Sequence, residues 1–296
     1  MKVIVTGSLG NISKPLATAL VAKEHDVTVI SSNAEKQKDI EAIGAKAAIG
    51  SLVDVGFVTS TFAGADVVYA MIPPNFAATD FRQHYQSIGN SYAEAIRQTG
   101  VKKVVHLSSW GADLSSGTGP IVGSHDVEEI LNQLSPEVAV THLRATSFYS
   151  NFYMFVGMIK SAGFIGTNYG GDVRLTLAHH TDIATAAVEE IEADITGIKV
   201  RYVASDESTP NHITQVIGAA IGKPNLKWVA FSDEDRMQAM LQRGMAAKIA
   251  AGLVELSSSI NSGLLRKDYD LHKPAVMGKV KIEDFAKEFA AVFNKG

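Results

Sequence analysis

Apolar positions in the first half of the chain fall in short β-branched runs separated by longer stretches of helical spacing. The runs predict strands at Lys2–Thr6, Asp26–Ser31, Ala45–Ile49, Asp66–Ile72, Lys103–Ser108 and Val138–Leu143. Between them, helices are predicted near Asn11–Lys23, Ala34–Ile43, Val55–Phe62, Asp80–Gln98 and Ser124–Leu134. Strand and helix alternate throughout. Strands such as KVIVT and VVYAMI are apolar at nearly every position, as strands covered on both faces are. The pattern predicts an α/β protein with a doubly wound parallel sheet.

After residue 150 the alternation loosens. A helix is predicted near Asn151–Ser161, then a glycine-rich bend, a strand at Asp172–Leu177, a helix at Asp182–Ile191 and a strand at Ile198–Ala204. Pro210–Ile221, a strand at Asn225–Phe231, one long helix over Asp233–Leu256 and a closing helix at Lys281–Phe293 complete the reading. No Pro/Ser-rich linker divides the chain. Residues 151–296 are expected to form a smaller α/β region packed on residues 1–150 and interleaved with the last strands of the sheet.

The first strand runs into Thr6-Gly7-Ser8-Leu9-Gly10-Asn11-Ile12-Ser13. Bare backbone there lets a diphosphate approach, and the helix that follows offers free N–H donors and the positive end of its dipole. The spacing is G-x-x-G-x-x-S, with Ser13 where a small residue permits close contact between helix and strand. A tight turn with no ligand would use the same string. Its place at the head of a strand-helix-strand series favours a Rossmann-type dinucleotide site over residues 1–150.

Composition removes several other chemistries. With no cysteine there is no disulfide, thiolate metal site or cysteine nucleophile, which suits a reducing compartment, so cytoplasm is the default. A net charge of -4, with both signs interspersed, gives no footprint for nucleic acid. No stretch reaches the roughly 20 apolar residues of a membrane span. The Val3-Ile4-Val5 run is too short for a secretory signal. A small-molecule acceptor is the expected partner, with a homodimer or a regulatory protein partner left open.

The second strand ends in Ser31-Ser32-Asn33, without the acid that would bind a ribose 2′-hydroxyl and repel a 2′-phosphate. Hydroxyl and amide donors, with Lys36 and Lys38 on the next turn, favour NADP(H), with NAD(H) as the alternative. An ordinary polar turn with solvated lysines fits the same residues. After the third strand, Ser51 and Leu52 are candidate cofactor contacts. Asp54 reads equally as an adenine partner or as a helix cap. Met71, Ile72 and Pro73, with Pro74, lie at the carboxyl end of the fourth strand, where two prolines form a rigid ledge.

These pieces resemble the NmrA-like group of atypical short-chain dehydrogenases/reductases, which includes NADPH-dependent quinone and triphenylmethane reductases and redox-sensing regulators. The resemblance is carried by VTGSLGNIS, GSLVD, GADVVYAMIPP, GVKKVVHLSSWGA, THLRATSFYSNF and HHTDIATAAVEEI, in that order along most of the chain. It implies cofactor contacts at Gly7, Leu9, Gly10, Asn11, Ile12, Ser31, Ser32, Asn33, Lys36, Ser51, Leu52, Met71, Ile72, Pro73, Ser108 and Ser147.

Ordinary members of the superfamily carry Tyr-x-x-x-Lys at the start of the fifth helix, where a cation lowers the pKa of the tyrosine that protonates a carbonyl. Here that region reads GPIVGSHDVEEIL. The relay is absent, so catalytic candidates are Ser109, His125 and Tyr149, and Trp110, Phe148, Tyr149 and Tyr153 are expected to wall the substrate. His125 reads equally as the start of a helix, and the aromatics as core. His179-His180-x-Asp182 looks like a metal cluster, but no third ligand is in view and Asp182 reads better as a helix cap; no metal is expected. Hydride transfer to a planar acceptor such as a quinone tolerates the missing tyrosine. A sensor that binds NADP(H) without turnover would also lack the pair.

Overall fold

The computed structural model describes residues 1–75, 78 and 80–295. The elements in the first half are β1 (Lys2–Val5), α1 (Ser13–Ala22), β2 (Asp26–Ser31), α2 (Gln37–Ala42), β3 (Lys46–Ile49), α3 (Val55–Phe62), β4 (Val67–Ala70), α4 (Phe81–Thr99), β5 (Lys103–Ser109), α5 (Val122–Asn132) and β6 (Ala139–Ala145). Then follow β7 (Ser147–Phe148), α6 (Val156–Ala162), β8 (Ile165–Thr167), β9 (Leu175–Ala178), α7 (His180–Glu192), β10 (Ile198–Val203) and β11 (Asp206–Ser208). The chain closes with α8 (Pro210–Ala220), β12 (Trp228–Ala230), α9 (Asp233–Gln242), α10 (Ala247–Asn261), α11 (Arg266–Leu271) and α12 (Ile282–Lys295).

Seven parallel strands form the central sheet in the order β10-β6-β5-β4-β1-β2-β3. Every carboxyl end therefore lies at one edge, and the order reverses beside β1, the switch point where such sheets take ligands. The expected doubly wound α/β sheet is what the structure shows. Its seventh strand, β10, comes from beyond residue 150.

Apolar strands require cover on both faces. On one, Val3, Val5, Tyr69 and Val105 pack on Leu16 and Leu20 of α1 and on Ile183 and Ile191 of α7. On the other, Ile4, Val68 and Val104 pack on Phe62 of α3, Tyr92 and Ile96 of α4, and Val127 and Leu131 of α5. A third core gathers Tyr149 and Phe152 with Ile213 and Ile217 of α8 and Phe285 and Phe289 of α12. Two small sheets, β11-β9-β7 and β12-β8, lie with it in the later half of the chain.

Two expectations need correction. The single helix over Asp233–Leu256 is two helices, because Gly244 takes φ +82° between them and its N–H bonds Leu241 O at 2.9 Å, closing α9. The segment near Asn151–Ser161 starts as a 3₁₀ turn over Tyr149–Phe155 before α6 begins.

One buried polar pair has a measurable consequence. His106 and His142 face each other across β5 and β6, with Nδ1 atoms 3.0 Å apart, and His142 Nε2–H donates to Asn132 Oδ1 at 2.9 Å. Only one proton fits between the two Nδ1 atoms, so the two rings cannot both be protonated there. Burial and then the facing ring hold the pKa of His106 well below the usual value, and burial lowers that of His142. The unfolded chain thus binds more protons below pH about 6.5, and stability falls with pH by up to about 1.4 kcal/mol per unit for each ring. Urea midpoints should decline between pH 7 and pH 5; a flat profile over that range would contradict the neutral pair.

Candidate functional site

At the end of β1 the chain turns through two left-handed residues, Gly7 at φ +90° and Ser8 at φ +55°. A Cβ on Gly7 would lie 2.7 Å from both Met71 Sδ and Ser13 Oγ, so the backbone passes where no side chain fits. Ser13 is buried and its hydroxyl donates to Thr6 O at 2.8 Å, tying α1 against β1. Gly10 N–H bonds Gly7 O at 3.2 Å. The first turn of α1 has no acidic residue and no side-chain cap. Lys14 N–H bonds Gly10 O at 3.0 Å and Pro15 has no N–H, so among the first three residues of α1 only Ser13 N–H is left for another acceptor.

Ser8 N–H bonds Ile30 O at 3.0 Å and Ser8 Oγ donates to Ser31 Oγ at 3.0 Å, so the loop is fixed to the end of β2. Beside it lies a hollow of about 290 Å³ that brings together Gly7, Ser31, Ser32, Ser51, Leu52 and Pro73. On the other side of the loop, Leu9, Gly10 and Asn11 line a second hollow of about 520 Å³. Lys14, Thr18 and His180 complete its polar lining.

Sequence reading missed Ser8, Lys14, His84 and Ile88. His84 Nε2–H donates to Pro73 O at 2.9 Å, which holds the proline ledge to α4, and Ile88 lines the same hollow. Their four-residue spacing places His84 and Ile88 on one helix face, but spacing alone does not say which hollow that face meets.

Other expected contacts stand elsewhere. Asn33 is exposed, and its side chain accepts from Glu35 N–H at 2.9 Å, capping a 3₁₀ turn. Lys36 pairs with Asp39 at 3.1 Å. Asp54 caps α3, accepting from Phe57 N–H at 3.1 Å. Ile12 and Ile72 are buried in the cores on opposite faces of the sheet, so their side chains are structural. Met71 is partly buried and its N–H donates to Thr6 Oγ1 at 2.8 Å. Ser147 lies on β7, in register with Leu177.

The profile of the NmrA-like family matches residues 1–258. The chain belongs to the NmrA-like family. An NAD(P)H azoreductase of Xenophilus azovorans is 23% identical over 296 residues, 99% of each chain. A triphenylmethane reductase of Citrobacter sp. superposes with TM-score 0.82 at 18% identity, covering 98% of this chain and 100% of that one. An NADPH-dependent quinone oxidoreductase of Escherichia coli, solved with NADPH, gives TM-score 0.73 at 18% identity over 99% and 100% of the chains.

In this NmrA-like chain α5 reads VGSHDVEEILN and carries neither tyrosine nor lysine. Ser108 is buried and donates to Glu128 Oε1, which removes it from the cofactor edge. Ser109, next along the strand, faces the opposite side of the sheet; it is partly exposed and donates to Trp110 O at 3.1 Å. His125 is partly exposed, and its Nδ1–H donates to Ala112 O at 2.8 Å.

Three aromatic assignments are corrected. Trp110 is 3% exposed and packs with Tyr202, Leu265 and Tyr269, so it fills a joint between halves of the chain. Tyr149 is buried, its ring stacked on Phe285 at 5.0 Å and its hydroxyl donating to Asp206 Oδ2 at 3.4 Å. Burial and the Asp206 charge push its pKa up, the reverse of what a proton donor needs. Tyr153 stacks on Phe289 at 5.8 Å in the same core. Phe148 remains partly buried at the carboxyl end of the sheet.

The cap of α7 is His179, whose side chain accepts from Thr181 N–H, and not Asp182. Asp182 accepts from Ser205 Oγ at 2.6 Å and from the N–H groups of Lys279 and Val280 at 3.1 Å, fastening the segment before α12. Among the described residues no group of three His, Asp or Glu side chains is arranged to hold a metal ion.

Proposed function

We propose that this NmrA-like chain is an NADPH-dependent oxidoreductase acting on a small planar acceptor such as a quinone. The observation that carries the reading is the cradle at the head of α1: bare backbone at Gly7 and Gly10, no acid in the first helical turn, and hollows on both sides of the loop. The names of the azoreductase, dye reductase and quinone oxidoreductase relatives support the same class.

The residues present fit such a cofactor. A Cβ on Gly10 would meet only Gly7 O, so the space above it is open for a diphosphate, with Lys14 alongside. Ser32, exposed at the end of β2, offers a hydroxyl to a 2′-phosphate, with no carboxylate on Ser31, Ser32 or Asn33 to oppose it. Leu52, Pro73 and Ile88 give the adenine end an apolar wall. The bound cofactor supplies the hydride.

Leu9, Met71, Leu107 and Phe148 stand at or near the carboxyl ends of β1, β4, β5 and β6, each partly buried against the first core. They form the apolar floor that orients a flat acceptor and excludes water. Ser109, on the same face of β5 as Leu107, and His125, whose Nε2 has no hydrogen bond among the described residues, are our candidates for exchanging a proton as the acceptor anion is completed. The reduced anion of a quinone is delocalised, so this demand is modest.

Purified protein mixed with NADPH and a panel of quinones should lose the nicotinamide absorbance, with kcat/KM at least about tenfold higher for NADPH than for NADH. Tight binding without oxidation across the panel would turn the assignment to a redox sensor. A preference for NADH would overturn the role given to Ser32.

A further inference from the structure

A hollow of about 940 Å³, larger than either beside the glycine loop, lies between α6, α9 and the start of α10. None of its lining residues belongs to the seven-stranded sheet. Its wall is sulfur and ring: Met154, Met158, Phe164, Phe231, Met240 and Met245. Met154 is 66% exposed, a large apolar side chain held in water at this rim.

Two guanidiniums open onto that apolar wall. Arg236 on α9 is half-buried and Arg243 follows the same helix. Among the described residues neither guanidinium forms an ion pair or a hydrogen bond, and Asp235, which also lines the hollow, pairs with neither. Elsewhere the chain pairs its sheltered arginines with carboxylates: Arg144 with Glu128, Arg201 with Glu190, Arg266 with Glu207 and Asp270. Burial and then the like charge of Arg243 lower the pKa of Arg236, as expected of a cation lacking its counter-ion.

We propose that this hollow binds an amphipathic organic anion, a carboxylate or sulfonate on an apolar body, at a site separate from the dinucleotide. Guanidinium forks match the two oxygens of such a head group, and methionine side chains adapt to an apolar body of irregular shape. A volume of roughly 300–1,000 Å³ with few polar groups is the usual form of a small-molecule site. An anion between Arg236 and Arg243 also replaces their mutual repulsion with two attractions. The inference stands independently of the reductase reading.

The test compares 8-anilinonaphthalene-1-sulfonate with N-phenyl-1-naphthylamine, the same rings without the charge, on the full chain. The sulfonate should bind about tenfold or more tightly than the neutral probe. Arg236→Gln should remove that advantage and leave the neutral probe within about twofold. Arg243→Gln, at an exposed position, should weaken the sulfonate in the same direction and serves if the first variant does not fold. A Cβ on Gly157 meets nothing within 4 Å, so Gly157→Trp should fill the hollow and exclude both probes. Saturating NADPH should leave both affinities unchanged. Equal affinities in the wild-type chain and Arg236→Gln, displacement by NADPH, or probe loss that tracks dimer formation would each overturn the assignment.

Discussion

Gly10→Asp should leave the chain folded and lower its affinity for NADPH by about a hundredfold or more. Gly10 is exposed and has an ordinary backbone conformation, and the only contact its Cβ would make is with Gly7 O at 3.1 Å. The native fold accepts the side chain if Gly7 O gives by a few tenths of an ångström, a small shift beside an exposed residue. An acid ahead of α1 is even mildly favourable, since carboxylates near a helix N-terminus contribute about 0.3–1 kcal/mol. The same property blocks the ligand, because a tethered carboxylate stands where the diphosphate would approach and repels it. Two tenfold losses, about 2.7 kcal/mol, are expected. Calorimetric titration with NADPH, alongside a thermal melt, measures both halves of the statement. Unchanged affinity in a folded variant would remove the phosphate cradle. A lost melt would show that the loop is structural first. Gly10→Ala, which adds volume without charge, should fall between.

The reach of sequence reading here follows the range of the physics involved. β2 and α3 were legible to the residue, since their apolar pattern and bounding turn residues are local. The glycine loop was legible for the same reason: a strand, two glycines and a helix start are contiguous. Side chains next to the sheet edge were misread wherever position along the chain stood in for direction. Ser108 and Ser109 cannot both face the cofactor, because successive strand residues point to opposite faces, and alternation from Val104 would have placed Ser108 against α5. Trp110, Tyr149 and Tyr153 have the composition of a binding wall, and also that of a core. What decides between these is α11 and α12, which lie over a hundred residues further on and supply Tyr269, Phe285 and Phe289. The break at Gly244 shows the converse, since one residue's left-handed conformation outweighs a continuing apolar period.

The same limit hid the charge cluster behind the sheet edge, where the second large effect is expected: Arg144→Met should lower stability by about 3–5 kcal/mol. Arg144 on β6 donates through Nε and Nη2 to Glu128 of α5 at 3.0 and 2.7 Å, and through Nη1 to Asp268 of α11 at 3.1 Å. Ser108 Oγ donates to Glu128, and Tyr202 of β10 donates to Asp268 at 2.6 Å. Burial opposes the arginine's charge, but the two bonds to Glu128 outweigh it and raise its pKa. Asp113, 4.0 Å from Arg144, is the third acid, and burial pushes its carboxyl up. One cation therefore serves three carboxylates, of which Glu128 is 4% exposed. Methionine keeps the volume and removes the charge, leaving Glu128 sheltered without a counter-ion. A chain of this size should lose on the order of 10 °C in Tm. Two further readouts separate this cause from mere packing loss. The penalty should shrink as pH falls and the stranded carboxylates protonate, so the variant and the wild-type chain converge toward acid. Adding Glu128→Gln should recover much of the loss, with a coupling energy of about 2 kcal/mol. If both variants lose stability additively and at every pH, the cluster is not a charge-balanced brace. Ser108 would then be released from the structural role that its bond to Glu128 assigns it.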